Sequence, residues 1–332
     1  MAIKEKMQWT MMPDLEEYLK QDKPKTMGLG KPLARYGLAM SEAATWTFVF
    51  TVNHALYDGG SIPMVQKLLN HFYDDSGDPV PHDSFNRFVK YVSETSRSDD
   101  SRAFWELNLA DYQGKPFPPL PVSSGVAGSR KMTVMEETIP TPQAAEVSLA
   151  TIVRVVWALL VHSNTGDYDI VFGTTVSGRN APITGVEDII GPTIATMPLR
   201  VQIFPDDTVA DFLHTLRDQT AGMAPYEQTG LQYIAKVSAE AAAATAFQTL
   251  MVIQPPADAV DDIPPVGKWS KMAETEDFAT AYALNLECKL SATDGMAWKA
   301  MFDSTRLATS ENGAAVQAPW CSYTSAGGCS YR

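Results

Sequence analysis

His54 is followed four residues later by Asp58 and then at once by Gly59, in the run Val52-Asn53-His54-Ala55-Leu56-Tyr57-Asp58-Gly59. Histidine is the side chain best suited to take a proton from an amine or an alcohol near neutral pH, so the segment offers a general base. Asp58, across a tight loop, either orients the imidazole or pairs with an arginine to lock the loop, and the glycine behind it frees the backbone to turn. The plain alternative is a buried histidine hydrogen-bonded for structural reasons.

Other reactive side chains offer less. Cys288, Cys321 and Cys329 form no C-x-x-C pair and are odd in number, which argues against a disulfide framework or a zinc ribbon and for a reducing compartment. His71, Asp74, Asp75, Asp78 and His82 are of metal-ligating types, but they share a connector without ligand periodicity and read as a solvated acidic loop. Met27-Gly28-Leu29-Gly30-Lys31-Pro32 lacks the spacing and the Ser/Thr of a phosphate loop and reads as a turn. There is no G-x-S-x-G elbow, against a thioesterase. The aromatics Trp157, Phe172, Phe212 and Phe247 read as core.

The elements around His54 give it its place. Thr45 to Val52 is β-branched and aromatic, a buried strand that delivers the chain to Asn53 and His54. From Ser61, a candidate N-cap, the period changes: Ile62, Val65, Leu68, Leu69 and Phe72 share one helical face, with Pro63 in the first turn. His54 to Gly60 is then a loop held between strand and helix, where catalytic groups tend to sit.

Further strands are expected over 132–139, 169–175, 196–204 and 247–253. Leu284, Leu286, Cys288 and Leu290 alternate cleanly, as do Met296, Trp298, Ala300 and Phe302, which suggests a hairpin around Thr293-Asp294-Gly295. One helix carries Leu149, Ile152, Val153, Val156, Leu159 and Leu160 on its face; another begins at the acidic cap Asp207-Thr208. The alanine-rich run 238–245 is a loop or a short helix. The Pro/Gly/Ser-rich stretch 117–129 marks a boundary. It divides the chain into an N-terminal lobe over 1–120 with the His54 motif, a C-terminal lobe over 121–304 and a disordered tail over 305–332.

With 332 residues, 45% of them hydrophobic and 20% charged, the chain has the length and mix of a globular α/β protein with two lobes. There are 26 basic and 39 acidic residues, a net charge of −13 without a Lys/Arg cluster, so nucleic acid is not the expected partner. No run of roughly eighteen apolar residues crosses a membrane, and the N-terminus shows no apolar secretory signal, so a cytoplasmic location is expected.

The segment Asn53-His54-Ala55-Leu56-Tyr57-Asp58-Gly59-Gly60-Ser61 resembles the His-His-x-x-x-Asp-Gly signature of nonribosomal peptide synthetase condensation domains, in particular fungal ones. Downstream, Phe172-Gly173-Thr174-Thr175-Val176-Ser177-Gly178-Arg179 is similar to the family's strand and arginine turn. Gly191-Pro192-Thr193-Ile194-Ala195-Thr196-Met197-Pro198-Leu199-Arg200 is similar to its Gly-Pro segment, and Pro225-Tyr226-Glu227 and Phe247-Gln248-Thr249-Leu250-Met251-Val252 to the stretches that follow. Asn53 stands where a first histidine is common, Gly60 where tryptophan often follows and Ala195 where asparagine is frequent. Plant-type acyltransferases share H-x-x-x-D but need an Asp-Phe-Gly-Trp-Gly segment that is missing here.

The resemblance implies a chloramphenicol acetyltransferase-like fold of mixed sheets covered by helices, with the first strands and helix of the N-terminal lobe absent. It implies an acyltransferase that joins an amine to an acyl thioester, each presented on a phosphopantetheine arm of a carrier protein, with no metal and no bound cofactor. His54 is then the catalytic residue, the Gly59 N–H an oxyanion donor, and Asp58 a structural residue paired with Arg179. Carrier and adenylation domains of a larger assembly are the implied partners. Asn53 resembles the serine of terminal domains that release products by cyclisation, an alternative to elongation. A truncated, inactive remnant that only binds is another.

Overall fold

The expected strand ahead of His54 is β3 (Trp46–Val52), in a three-stranded sheet with β2 (Ala34–Met40) and β1 (Trp9–Met12). The computed structural model describes residues 8–40, 45–74, 83–119, 132–140, 147–254, 282–291 and 295–303. Residues 75–82 of the acidic connector 74–83, residues 120–129 of the boundary stretch 117–129, the tip of the hairpin at Thr293-Asp294 and the tail 305–332 lie outside them, as do Cys321 and Cys329. By packing, the chain divides into two compact units, residues 1–85 with 188–193, and residues 86–187 with 194–332.

In the first unit β2 and β3 run antiparallel, with Tyr36 opposite Phe50 and Leu38 opposite Phe48, and β1 lies parallel to β2. Side chains alternate between the two faces. One face carries Gly37, Ala39 and Val49 and packs on Tyr18 of helix α1 (Leu15–Asp22), whose ring is buried. Gly37 is required there, because a Cβ would stand 2.2 Å from the Tyr18 ring. Asp14 caps α1 by accepting the Glu17 N–H at 2.8 Å. At the other end Asp22, buried, accepts from Arg35 Nε at 2.6 Å and Thr51 Oγ1 at 2.8 Å, tying helix to sheet. The opposite face bears Trp9, Met11, Trp46 and Phe48, all exposed. Sequence reasoning did not foresee β1, α1 or β2.

The second unit holds a six-stranded mixed sheet in the order β4-β9-β8-β7-β5-β6, made of β4 (Met132–Ile139), β5 (Asp169–Val176), β6 (Ala195–Gln202), β7 (Thr249–Gln254), β8 (Leu284–Leu290) and β9 (Met296–Asp303). Every strand expected in this region is present, and β8 and β9 pair antiparallel as the hairpin reading requires. Trp157, Phe172, Phe212 and Phe247 are core, as expected. Helices α3 (Phe85–Thr95) and α4 (Asp99–Asn108) precede the boundary drawn at 120/121, yet all but Phe85 fall in this unit. Trp105 and Leu109 are fully buried in its core, so the change of unit comes at Phe85/Asn86.

Helix α5 (Leu149–Thr165), capped by Ser148 and closed by Gly166 at φ 74°, turns a different face inward from the one expected. Val153, Val155, Trp157, Ala158 and Val161 are buried, while Val156 and Leu159 are exposed. Apolar residues surround this helix, so periodicity could not choose a face; the bulk of Trp157, edge-on to Phe117 at 5.9 Å, does. Helix α6 (Val209–Met223) starts at Thr208, which forms a capping box with Asp211. The alanine run is a short helix, α8 (Ala239–Thr245), capped by Ser238 and following α7 (Leu231–Ile234). Arg200 on β6 grips Asp169 on β5 with Nε and Nη2 at 2.7 and 2.8 Å.

Candidate active site

Between β3 and helix α2 (Ser61–Asp74) the chain makes one short 3-10 turn, His54–Leu56. Asn53 starts it twice over. Its N–H donates to the Leu33 carbonyl at 2.8 Å, closing the end of the sheet, and its side-chain oxygen accepts the Ala55 N–H at 3.0 Å. Asn53 thus acts as a cap for the turn that carries His54. The turn leaves His54 exposed, with its ring stacked on Tyr57 at 4.4 Å between centroids and 21° between planes. The bland reading, a buried histidine, does not apply.

Asp58 is the opposite case, 1% exposed. Its Oδ1 accepts the Ser61 N–H at 2.8 Å and the Ser61 hydroxyl at 2.6 Å. Its Oδ2 accepts the Thr193 N–H at 2.9 Å and the Thr193 hydroxyl at 3.1 Å. A carboxylate taken out of water needs such donors, and each oxygen has two. Ser61 completes the cluster: its Oγ lies 2.9 Å from the Gly191 carbonyl and accepts the Gly191 N–H at 3.2 Å.

Ser61, expected to cap α2, is instead its first residue, and its N–H is taken by the side chain of Asp58 three residues earlier. The helix face expected around Ile62, Val65, Leu68, Leu69 and Phe72 is half-buried except for Phe72, which is exposed. Gly59 is exposed, and a Cβ there would meet nothing within 4 Å, so the main chain is open to approach. Gly191 is tightly enclosed: with φ at 152°, a Cβ would stand 2.4 Å from the Phe85 ring. Among the described residues no group of His, Cys, Asp and Glu forms a metal site, and no helix is long and apolar enough to cross a membrane.

The remaining candidates lie in the second unit. Arg179 follows β5 and donates from Nη1 to the Val186 carbonyl at 3.3 Å. Cys288 is buried in β8, and burial pushes its thiol up to about 11, so it stays neutral and unreactive near pH 7. Thr193 and Gly191 escaped sequence reasoning as site residues. Ser61 was read as the cap rather than as a donor to Asp58, and nothing in spacing points to a partner 135 residues away.

The two-unit α/β framework is a chloramphenicol acetyltransferase-like fold, and solved structures bear the fold out. The crystal structure of CT superposes with a TM-score of 0.75 at 24% identity, over 91% of this chain and 70% of CT. A mutant starter condensation domain of the rhizomide synthetase RzmA gives 0.64 at 16% identity, over 90% of this chain and 72% of that one. The condensation domain family model matches residues 3–313, and the chain belongs to that family. It is 40% identical over 294 residues to the nonribosomal peptide synthetase dtxS1 of Metarhizium robertsii, and 38% over 307 residues to the nonribosomal peptide synthetase TES of Alternaria alternata. These matches cover 87% and 91% of this chain but only 4% and 6% of the two synthetases.

Proposed function

We propose that the chain forms an amide bond between an acyl thioester and an amine, each presented on the phosphopantetheine arm of a carrier protein. The observation that carries this reading is the placement of His54: an exposed imidazole on a short turn, anchored by Asn53 at one end and by the buried Asp58 at the other. The amine nitrogen attacks the thioester carbonyl carbon, a C–N bond forms and the C–S bond breaks. His54 orients the amine and takes its proton, which leaves with the phosphopantetheine sulfur as the free thiol. The Gly59 N–H, on main chain open to approach, donates to the developing oxyanion. A thioester is already activated, so positioning supplies much of the rate.

In this reading Asp58 is a structural residue, held by the hydrogen bonds that its carboxylate accepts from Ser61 and Thr193. The reading calls for no metal and no bound cofactor. Adenylation domains load the carriers, and the setting is the cytoplasm. Cyclising release is a second reading, favoured by Asn53 at the first position of the signature.

The test supplies an N-acetylalanyl thioester on one carrier and an alanyl thioester on a second, and follows the mass of each carrier. A dipeptidyl group on the second carrier supports elongation. Replacing the probes with a peptidyl carrier alone and finding a cyclic amide supports the second reading. A folded chain that yields neither product overturns both and leaves a binding remnant.

A further inference from the structure

His54 is exposed, so its position depends on the two ends of the loop that carries it. At the strand end the Asn53 N–H holds the Leu33 carbonyl. At the helix end everything converges on Asp58, three residues beyond the His54–Leu56 turn's first two residues and itself unable to move without breaking hydrogen bonds on both oxygens. Half of those bonds come from Thr193, which is 0% exposed. Thr193 ends the segment 188–193, which packs with the first unit although residues 187 and 194 belong to the second. Ser61 holds the same segment by accepting the Gly191 N–H on its Oγ at 3.2 Å.

We infer that Thr193 and Ser61 are positioning residues for His54, acting through Asp58. Thr193 fixes Oδ2 and Ser61 fixes Oδ1, so the carboxylate is locked in rotation as well as in place, and the loop ahead of it presents the imidazole at one position. A rotating carboxylate would let the His54–Tyr57 stack drift, and a displacement on the order of 1 Å costs about a hundredfold in rate. The role needs a side-chain hydroxyl at 193, which serine also supplies and valine, equal in shape to threonine, does not. This inference rests on the catalytic reading of His54 given above.

The experiment uses the whole chain with the two alanyl carrier thioesters, and compares Thr193→Val and Thr193→Ser, each also combined with His54→Ala. Thr193→Val is expected to lower kcat by about ten- to a hundredfold with KM changed less than about twofold, and Thr193→Ser to recover most of the loss. In the His54→Ala background the valine substitution should cost nothing further, because a residue that acts through His54 has nothing left to position. An equal loss in both backgrounds marks a merely structural residue and overturns the inference.

If His54→Ala retains turnover, the catalytic reading itself fails; if it abolishes turnover while Thr193→Val leaves kcat intact, only the positioning inference fails. Histidine-selective NMR reads the same question without turnover. The His54 imidazole signal should move in Thr193→Val and in Thr193→Ala and return in Thr193→Ser. A signal unmoved in the folded variants, or loss of fold in both valine and alanine variants, overturns the inference.

Discussion

Asp58 accepts both the main-chain N–H and the hydroxyl of Thr193, at 2.9 and 3.1 Å, across 135 residues of chain. The loop beside the candidate histidine is therefore set by a long-range contact as well as by the strand and helix that flank it.

Asp58→Asn tests how much that contact holds. A carboxamide can present an oxygen to only one of the two donor pairs and turns an NH2 group towards the other, at a side chain that is 1% exposed. Chemical denaturation should show a loss of roughly 3 kcal/mol. A loss below about 0.5 kcal/mol, the range of ordinary surface changes, would mean that the cluster does not stabilise the fold.

Two glycines in the same region should respond in opposite ways. Gly191→Ala places a methyl group against the Phe85 ring, at a φ of 152° that an L side chain rarely adopts. It should cost about 2 kcal/mol or more in thermal or chemical unfolding. Gly59→Ala meets open space and should change stability by less than about 1 kcal/mol. Equal effects would contradict the described path of the chain.

The first unit should carry an acid-sensitive element at Asp22. Burial alone pushes this carboxyl up, but hydrogen bonds from Arg35 and Thr51, together with the Arg35 charge, outweigh burial and hold it below its ordinary value of 3.8. A depressed carboxyl stabilises the fold fully above that ordinary value, and the contribution is lost as pH falls through the folded-state value below it. Melting temperatures measured from pH 7 down to about 3 should therefore fall less steeply for Asp22→Asn than for the natural chain, from a lower starting point. Identical slopes would remove Asp22 from the acid response.

Much of this arrangement was legible in the sequence, for reasons that differ element by element. The strands of the large sheet announce themselves by alternation, as at Leu284, Leu286, Cys288 and Leu290, and the His54 loop by the change of period at Ser61. The face of α5 was not legible, because apolar residues fill most positions from Leu149 to Val161 and packing around Trp157 decides which are buried. Strand β2 was missed because Gly37 interrupts its pattern, and the glycine is there for the Tyr18 ring. The change of unit at Phe85/Asn86 was hidden because it lies within the first turn of a continuous helix, while the Pro/Gly-rich stretch drew attention further on. At the site, His54 and Asp58 were visible as a motif, but the Thr193 brace depends on chain folding back over a distance that no local pattern encodes.

The most direct test of the account compares the natural chain with His54→Ala in transfer between the two alanyl carrier thioesters, with circular dichroism confirming that both are folded. The account predicts that the dipeptidyl product forms with the natural chain and falls by at least about a hundredfold in the variant, the range of general acid–base catalysis. Undiminished product from folded His54→Ala would contradict it.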